Sequence, residues 1–374
     1  MHRGDPTSRE IGTFHGFRVV QTLQREGPLT KRELEQRCQL SRPTLDKIIE
    51  SLRKRGILNS GEHRAPSSGR PPLTYAFNPL IKVCVGVDLE MPALNTVITD
   101  LDGEPLWEKS QSNLPLSDPS KTLGLVAHQV KQGLASLRIP KRSVLGVGLG
   151  IPAFMNGPND TVSIQAHNLP RWKDVAVKRE LYRKLGIAVH VDNDVNFMAL
   201  AENLRRGQGE PVLLYLALRQ GTNQDLRMGS AILFNGQVYR GAYGNAASLQ
   251  GMYVKLRKRG DLIGAIRKAL GQDRNEAGLL QALNEHFFLP TVNMILMLDP
   301  SLVVIHARLL DDKRETFIAT CQRILRKHLP AAMAARLRIE ASVHAHRPGA
   351  NGAARFVAQQ AFAEPKELIA KLSS

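Results

Sequence analysis

Five neighbouring residues near the start of the chain, Ser41, Arg42, Thr44, Asp46 and Lys47, are polar, and all but the acidic Asp46 can donate hydrogen bonds to a polyanion. They fall on the polar side of a segment, TLDKIIESLRKRG, whose other side carries Leu45, Ile48, Ile49 and Leu52. Arginine and lysine donate hydrogen bonds to guanine edges or phosphate oxygens, and a threonine hydroxyl can contact either. A helix that offers such donors from its N-terminal half while its other face packs has the form of a DNA recognition helix. Further on, Arg64 and Arg70 lie in the Gly/Ser/Pro-rich stretch NSGEHRAPSSGRPP. A loop of that composition is suited to lie on phosphates or to enter a minor groove. The plain alternative is a three-helix module that makes protein contacts and whose basic residues are only solvated.

The surrounding elements are those needed to position these side chains. Phe17, Val20 and Leu23 recur at helical spacing in FHGFRVVQTLQRE, and Gly27-Pro28 ends that helix. Thr30 followed by Glu33 is a capping box, which predicts a second helix from Lys31 to about Arg37. Ser41 is expected to cap the third helix, with Pro43 in its first turn and Gly56 closing it. Ile57-Leu58 and Leu73–Phe77 then read as two short strands around the loop. Three helices and a hairpin predict a winged helix-turn-helix, an α+β unit over residues 1–80, with Asn78-Pro79 at its boundary.

Past that boundary the pattern changes. Residues 82–89, 95–100 and 104–110 read as consecutive strands, with Asp102-Gly103 as a turn. A helix at about 119–138, a buried strand at 144–151, a helix at about 173–186, a strand at 188–192 and a helix at 195–206 follow. Strands at 212–218 and 228–234, with the turn Asn235-Gly236, begin a second cycle that ends in helices and one apolar strand at 302–306. Two α/β lobes of related topology are expected, over 81–200 and 201–374. The apolar helix at 287–298 is read as core rather than interface.

Composition bounds the function class. A chain of 374 residues, 43% hydrophobic and 23% charged, is long enough for two or three globular domains. Its formal net charge of +17 attracts polyanions. Residues 1–80 carry 14 Lys/Arg against 8 Asp/Glu and the remainder 37 against 26, so charge alone does not locate a site. Cys38, Cys84 and Cys321 are odd in number and far apart, which argues against a disulfide framework or a cysteine zinc site. The N-terminal MHRGDPTSREIG has no apolar run of a secretory leader, and no window is long enough to span a bilayer. A reducing, cytoplasmic compartment is expected.

Several stretches together resemble the ROK family (repressors, open reading frames and kinases). They are GRPPLTYAFNP at 69–79, VGVDL at 85–89, NLPRW at 168–172, VHVDNDVNFMALAE at 189–202, LFNGQVYRGAYGNAA at 233–247 and RPGANGAARFVAQQAF at 347–362. The segments occur in order and at family-like separations over nearly the whole chain from about residue 14. The resemblance implies a winged helix followed by a two-lobed sugar-kinase domain of the actin/hexokinase type, which is ribonuclease H-like. It further implies a DNA-binding transcriptional regulator of the repressor branch.

The chain departs from the kinase members of that family. Where they carry a Gly-Gly-Thr phosphate turn, it reads Asp88-Leu89-Glu90-Met91-Pro92; Glu90 repels phosphate and Pro92 lacks a backbone donor. The second phosphate loop becomes Gln220-Gly221-Thr222-Asn223-Gln224-Asp225-Leu226-Arg227, and the late Gly-Gly becomes His306-Ala307. Phosphoryl transfer depends on positioning and neutralising phosphates, so no catalytic residue and no nucleotide cofactor are assigned. The zinc-binding run aligns with Ala247-Ser248-Leu249-Gln250-Gly251, and no cysteine lies between Cys84 and Cys321, so no metal is assigned.

Of the family's sugar pocket, Asn168, Asn193 and Asp194 remain, while Ser248 and Gly251 stand where Glu and His are expected. The usual Gly after Ile-Pro is Ala153. In a kinase Asp194 is the general base that takes the sugar hydroxyl proton. Here the three residues are expected to hold a sugar or sugar-derivative effector, or else Asn193 or Asp194 only caps the following helix and Asn168 only holds a turn. His167 and His190 read as structural or exposed rather than catalytic, Asp192 as a strand-end residue, and Trp172 as core or surface packing rather than a pocket rim. The expected partners are a double-stranded DNA operator and a second copy of the chain, as a homodimer or dimer of dimers, with a nucleoid-associated cytoplasmic location and no membrane. The alternatives are a sugar kinase with an appended DNA-binding domain, a regulator controlled by a protein partner, and an architectural DNA binder without sequence preference.

Overall fold

A computed structural model describes residues 8–62, 73–89, 93–156, 161–164, 169, 171–207, 209–220, 226–242, 244, 246–247, 266, 268–270, 276–307, 310, 313–343, 347–363, 368–370 and 372. The chain opens with α1 (Ser8–Glu26), β1 (Leu29–Thr30), α2 (Lys31–Cys38) and α3 (Arg42–Lys54), followed by β2 (Leu58–Glu62) and β3 (Leu73–Phe77). The capping box forms: the Thr30 hydroxyl accepts from the Glu33 N–H at 3.3 Å, and the Glu33 carboxylate accepts from the Thr30 N–H at 2.7 Å. Left-handed Gln39 ends α2. Ser41 has the extended backbone of an N-cap, but its hydroxyl pairs with that of Thr44 at 2.9 Å instead of capping the backbone. Leu45, Ile49 and Leu52 of α3 pack on Leu34 and Cys38 of α2 and on Phe17, Val20 and Leu23 of α1. The three strands form one antiparallel sheet in the order β1-β3-β2.

A 3-10 turn at Pro79–Ile81 leads into the first large sheet, built from β4 (Val83–Asp88), β5 (Leu94–Thr99), β6 (Pro105–Gln111), β7 (Val144–Ile151) and β10 (Val189–Asn193). Its order is β10-β7-β4-β5-β6, with β4, β7 and β10 parallel. Between these strands run α4 (Pro119–Ser136), a small hairpin of β8 (Phe154–Asn156) and β9 (Thr161–Ile164), and α5 (Val177–Leu185). The strand-to-helix junction after β10 opens α6 (Asp194–Arg205).

The second sheet repeats this plan with β11 (Val212–Gln220), β12 (Leu226–Phe234), β13 (Gln237–Val238), β14 (Leu302–His306) and β15 (Arg338–Ala341), in the order β13-β12-β11-β14-β15. Its helices are α7 (Glu276–Leu283), α8 (Leu289–Leu298), α9 (Arg314–Lys327) and α10 (Ala331–Arg336), and the last long helix is α11 (Pro348–Ala363). Pro290, Thr291, Val292 and Ile295 of α8 are buried, while Leu289, Leu296 and Met297 are exposed, so that helix is core on one face only.

The layers follow from which side chains share a core. The outer face of the first sheet packs on α4 and α5, and that of the second on α7, α8 and α9. Between the sheets lie α6 and α11. Val195, Met198 and Ala199 of α6 pack on Tyr215, Ala217 and Val304 of the second sheet, while α11 returns to the first. Residues 201–374 therefore supply the second sheet and one layer of the first. The two central helices touch backbone to backbone: a Cβ on Gly352 of α11 would lie 1.8 Å from the Phe197 carbonyl oxygen of α6.

The N-terminal unit shares a core with the first lobe. Phe17, Tyr75 and Phe77 belong to the same buried cluster as Cys84, Val97 and Leu101 of the sheet and as Ala354, Ala361, Leu368, Ile369 and Leu372 near the C-terminus. Phe77 meets Phe362 edge to face at 6.0 Å.

Candidate functional site

The polar ends of the central elements converge between the lobes. The parallel strands β4 and β10 end in Asp88 and Asn193, and α6 starts at Asp194. Gly150 of β7 separates the two acids: a Cβ there would lie 3.2 Å from the Asp194 Cα and 3.3 Å from Asp88 Oδ1. A Cβ on Gly349 would strike the Asp88 carboxylate at 2.1 Å, which sets that group against the first turn of α11. The positive end of the helix dipole favours an anion there.

Asn193 caps α6, its Oδ1 accepting from the Val195 N–H at 3.0 Å while its Nδ2 donates to the Ala153 carbonyl at 3.3 Å. Asp194 is fully buried, accepts from the Val195 N–H at 2.8 Å, and is ion-paired with Arg219 at the end of β11. Desolvating a carboxylate is costly unless an opposite charge and hydrogen bonds compensate it, and Arg219 with the α6 N-terminus supplies both. Asp192 accepts from the Asn193 N–H and the Asn196 amide, each at 2.7 Å, and from Arg240 Nε at 2.8 Å. The Arg240 guanidinium also stands over the Phe356 ring of α11 at 5.4 Å. Farther along α6, buried Glu202 holds Arg206 at 2.6 Å, the Ser342 hydroxyl at 2.7 Å and the Val343 N–H at 3.1 Å, tying the helix to the segment after β15.

Asn193 and Asp194 are adjacent, and both spend hydrogen bonds on the α6 terminus. Asn168, Ser248 and Gly251 lie outside the described residues, as do Glu90, Met91, Pro92 and residues 221–225. Arg219, Arg240 and Glu202 are not singled out by sequence reasoning. A strand such as VLLYLALRQ, apolar up to a terminal arginine, carries the signal, because a cation at the end of a buried strand calls for an anionic partner. Trp172 is fully buried and donates from Nε1 to the Leu116 carbonyl at 2.8 Å, as packing predicts. Among the described residues no group of three or more His, Cys, Asp or Glu side chains is arranged to hold a metal ion.

On the N-terminal unit, Ser41, Arg42 and Lys47 are exposed and Thr44 is half-buried. Arg42 Nε lies 3.9 Å from Glu35 with three quarters of its side chain exposed. Asp46 is paired with Lys31 at 2.6 Å. Arg64 and Arg70 lie outside the described residues.

Residues 84–262 match the family model described as the ROK family. Residues 84–262 therefore resemble a ROK family domain. It is 23% identical over 232 residues to the xylose repressor of Caldicellulosiruptor bescii, covering 62% of this chain and 56% of that one. It is 19% identical over 237 residues to the xylose repressor of Bacillus subtilis, covering 63% and 59%. With the DNA-binding transcriptional dual regulator NagC of Escherichia coli it shares 21% identity over 243 residues, covering 63% and 56%. The chain thus spans less than three fifths of the length of these curated relatives.

Among solved structures, a ROK family transcriptional regulator described as a homologue of the E. coli MLC protein superposes with a TM-score of 0.70 at 16% identity, over 97% of this chain and 99% of that one. The ROK hexokinase of Thermus thermophilus gives 0.59 at 19% identity, over 75% and 100%. The ROK glucokinase of Streptomyces griseus, in complex with glucose and AMPPNP, gives 0.56 at 16%, over 74% and 99%. At these identities the likeness is one of fold: the actin/hexokinase-like arrangement of the ROK domain. Among the described residues no helix is long and apolar enough to cross a membrane.

Proposed function

We propose that this chain is a DNA-binding transcriptional regulator, acting as a repressor, whose ROK domain does no phosphoryl transfer. The N-terminal unit, residues 1–80, is read as a winged helix-turn-helix, and residues 81–200 and 201–374 as the two ROK lobes. The observation that carries this reading is the exposed face of α3. Arg42 and Lys47 project from its N-terminal half while Leu45, Ile49 and Leu52 lock its other face onto α1 and α2. A capped helix precedes it and an antiparallel hairpin follows it, the order of a winged reader of the major groove. Ser41, Arg42, Thr44 and Lys47 read the operator, and Arg64 and Arg70 of the wing hold its backbone. The repressor names of the similar curated proteins support the same reading.

Asn193 and Asp194 are read as contacts of a sugar or sugar-derivative effector, with Asn168 as a third expected contact. Asp194 does not serve as a general base because its carboxylate is committed to Arg219. The chain acts as a homodimer on a two-fold symmetric operator, and effector binding favours one arrangement of the lobes over the other. It works on the DNA in the cytoplasm. The kinase reading, with an appended DNA-binding domain, is favoured only by the fold neighbours that are kinases.

Selection of genomic fragments by the purified chain at near-physiological salt tests the proposal. A recurrent inverted repeat, absent after Arg42→Ala with Lys47→Ala, is the expected result. Uniform recovery of all fragments would contradict an operator-specific regulator and turn attention to architectural binding.

A further inference from the structure

The ROK domain carries a concentrated positive edge that the proposed function leaves unused. Residues 138–187 hold nine Lys/Arg against three Asp/Glu, a denser excess than that of the N-terminal unit. Arg138, Lys141, Arg142 and Arg183 are exposed and Lys184 is half-buried. Arg183 pairs with Glu180 at 3.3 Å, yet its side chain stays 70% exposed.

Topology gathers these side chains at one place. Because β4, β7 and β10 are parallel, all three begin at the same edge of the first sheet. The 3-10 turn Lys141–Ser143 precedes β7 directly, and α5 delivers Arg183 and Lys184 just before β10. Lys141 Nζ stands 3.6 Å from where a Cβ of Gly186 would lie, which joins the two segments. That edge is also the one the chain enters from the N-terminal unit. Lys82, the residue before β4, donates from Nζ to the Arg142 carbonyl at 2.7 Å. Asn78 Nδ2 donates to the Gly56 carbonyl at 2.9 Å, at the C-terminal end of α3.

The solvent face of α3 leads toward the same place. At 3.6 residues per turn, Arg53 falls within about 20° of Arg42 around the helix, and Lys54 within about 20° of Lys47. Arg53 and Lys54 are exposed, Lys54 being paired with Glu50 at 2.7 Å. Exposed basic side chains therefore lie along α3 and again at the edge of the first lobe, with the uncharged residues 78–81 and buried Lys82 joining the two.

We propose that this edge is a second DNA-contact surface, which grips the phosphate backbone of duplex flanking the site read by α3. Charge complementarity, and the link from the C-terminal end of α3 to this edge through Asn78 and Lys82, identify the partner as duplex DNA. The proposal rests on the DNA-binding reading above. Contacts of this kind are independent of sequence, and their signature is a salt-dependent contribution that needs flanking DNA.

The test uses the full chain and the sequence recovered in the genomic selection, prepared in two lengths. One is the core duplex alone, and the other extends it by about one helical turn on each side. The variant is Lys141→Gln with Arg142→Gln, Arg183→Gln and Lys184→Gln, with thermal unfolding as a check on folding. The expected result is about a tenfold loss of affinity for the extended duplex, a slope of log K on log salt shallower by roughly 2 to 3, and little change on the core duplex. An unchanged variant, or one that loses equally on both lengths, overturns the flanking contact while the DNA-binding reading stands. If the unmodified chain binds no duplex of either length, both fall together.

Discussion

Arg219, the penultimate residue of β11, is ion-paired with fully buried Asp194 at the first turn of α6. The pair joins the second sheet to the helix that leaves the first. It also engages the carboxylate that the family resemblance assigns to proton abstraction. A buried charge left without its partner is strongly destabilising. Asp194→Asn is therefore expected to lower stability by about 3 kcal/mol in denaturant unfolding. Adding Arg219→Met should recover part of that loss. An Asp194→Asn chain as stable as the parent would contradict the pairing.

The contact of α11 with α6 makes a second prediction. Gly352→Ala must push a methyl into the Phe197 carbonyl, and backbone cannot yield as a side-chain tip does. Overpacking of this kind costs about 1–3 kcal/mol or more and should separate the two central helices. Denaturant unfolding measures the cost, which should exceed that of Gly124→Ala, where nothing lies within 4 Å.

The core shared between the N-terminal unit and the first lobe makes a third. Leu368 is fully buried in that cluster, beside Ile369 and Leu372. Leu368→Ala should cost about 2–5 kcal/mol. It should weaken DNA binding as well, although it lies more than three hundred residues from α3 in sequence. Loss of stability with DNA affinity intact at low temperature would separate the two units.

A fourth concerns pH. Burial pushes the Glu210 carboxyl up, but hydrogen bonds from Arg338 and Ser301 and the guanidinium charge outweigh it and leave it below the ordinary glutamate value. A depressed carboxylate stabilises the fold above its unfolded value, and that contribution is lost as pH falls through the lowered one. Arg338→Gln should therefore destabilise the chain at neutral pH, with the gap to the parent closing below about pH 4. A gap independent of pH would contradict the role of this pair.

Local chemistry is legible in the sequence wherever a few adjacent residues decide the backbone. Thr30 and Glu33 announce their capping box, and Asn235-Gly236 announces a turn in which both residues take positive φ. Ser41 also announces a helix start, but its hydroxyl pairs with Thr44 rather than with the backbone donors. The helix expected from about residue 173 begins at Val177, after a bend containing left-handed Asp174. The hairpin of β8 and β9 and the late strand β15 are short, and short strands carry little periodicity. Long-range partners are the least legible. Asp194 and Arg219 are 25 residues apart, and Glu202 and Ser342 are 140 apart, and neither separation has a local signature. The return of α11 to the first sheet is likewise a property of packing, written in small residues such as Gly349, Ala350 and Gly352 rather than in position along the chain.

The most direct test of the central claim is the equilibrium affinity for the selected operator and for a scrambled duplex of equal length, at one salt concentration. Parent and Arg42→Ala/Lys47→Ala chains are compared. The account predicts a preference of at least about a thousandfold for the operator in the parent, collapsing toward equality in the variant. Equal affinity of the parent for both duplexes, or an unchanged preference in the variant, would contradict α3 as the element that reads DNA.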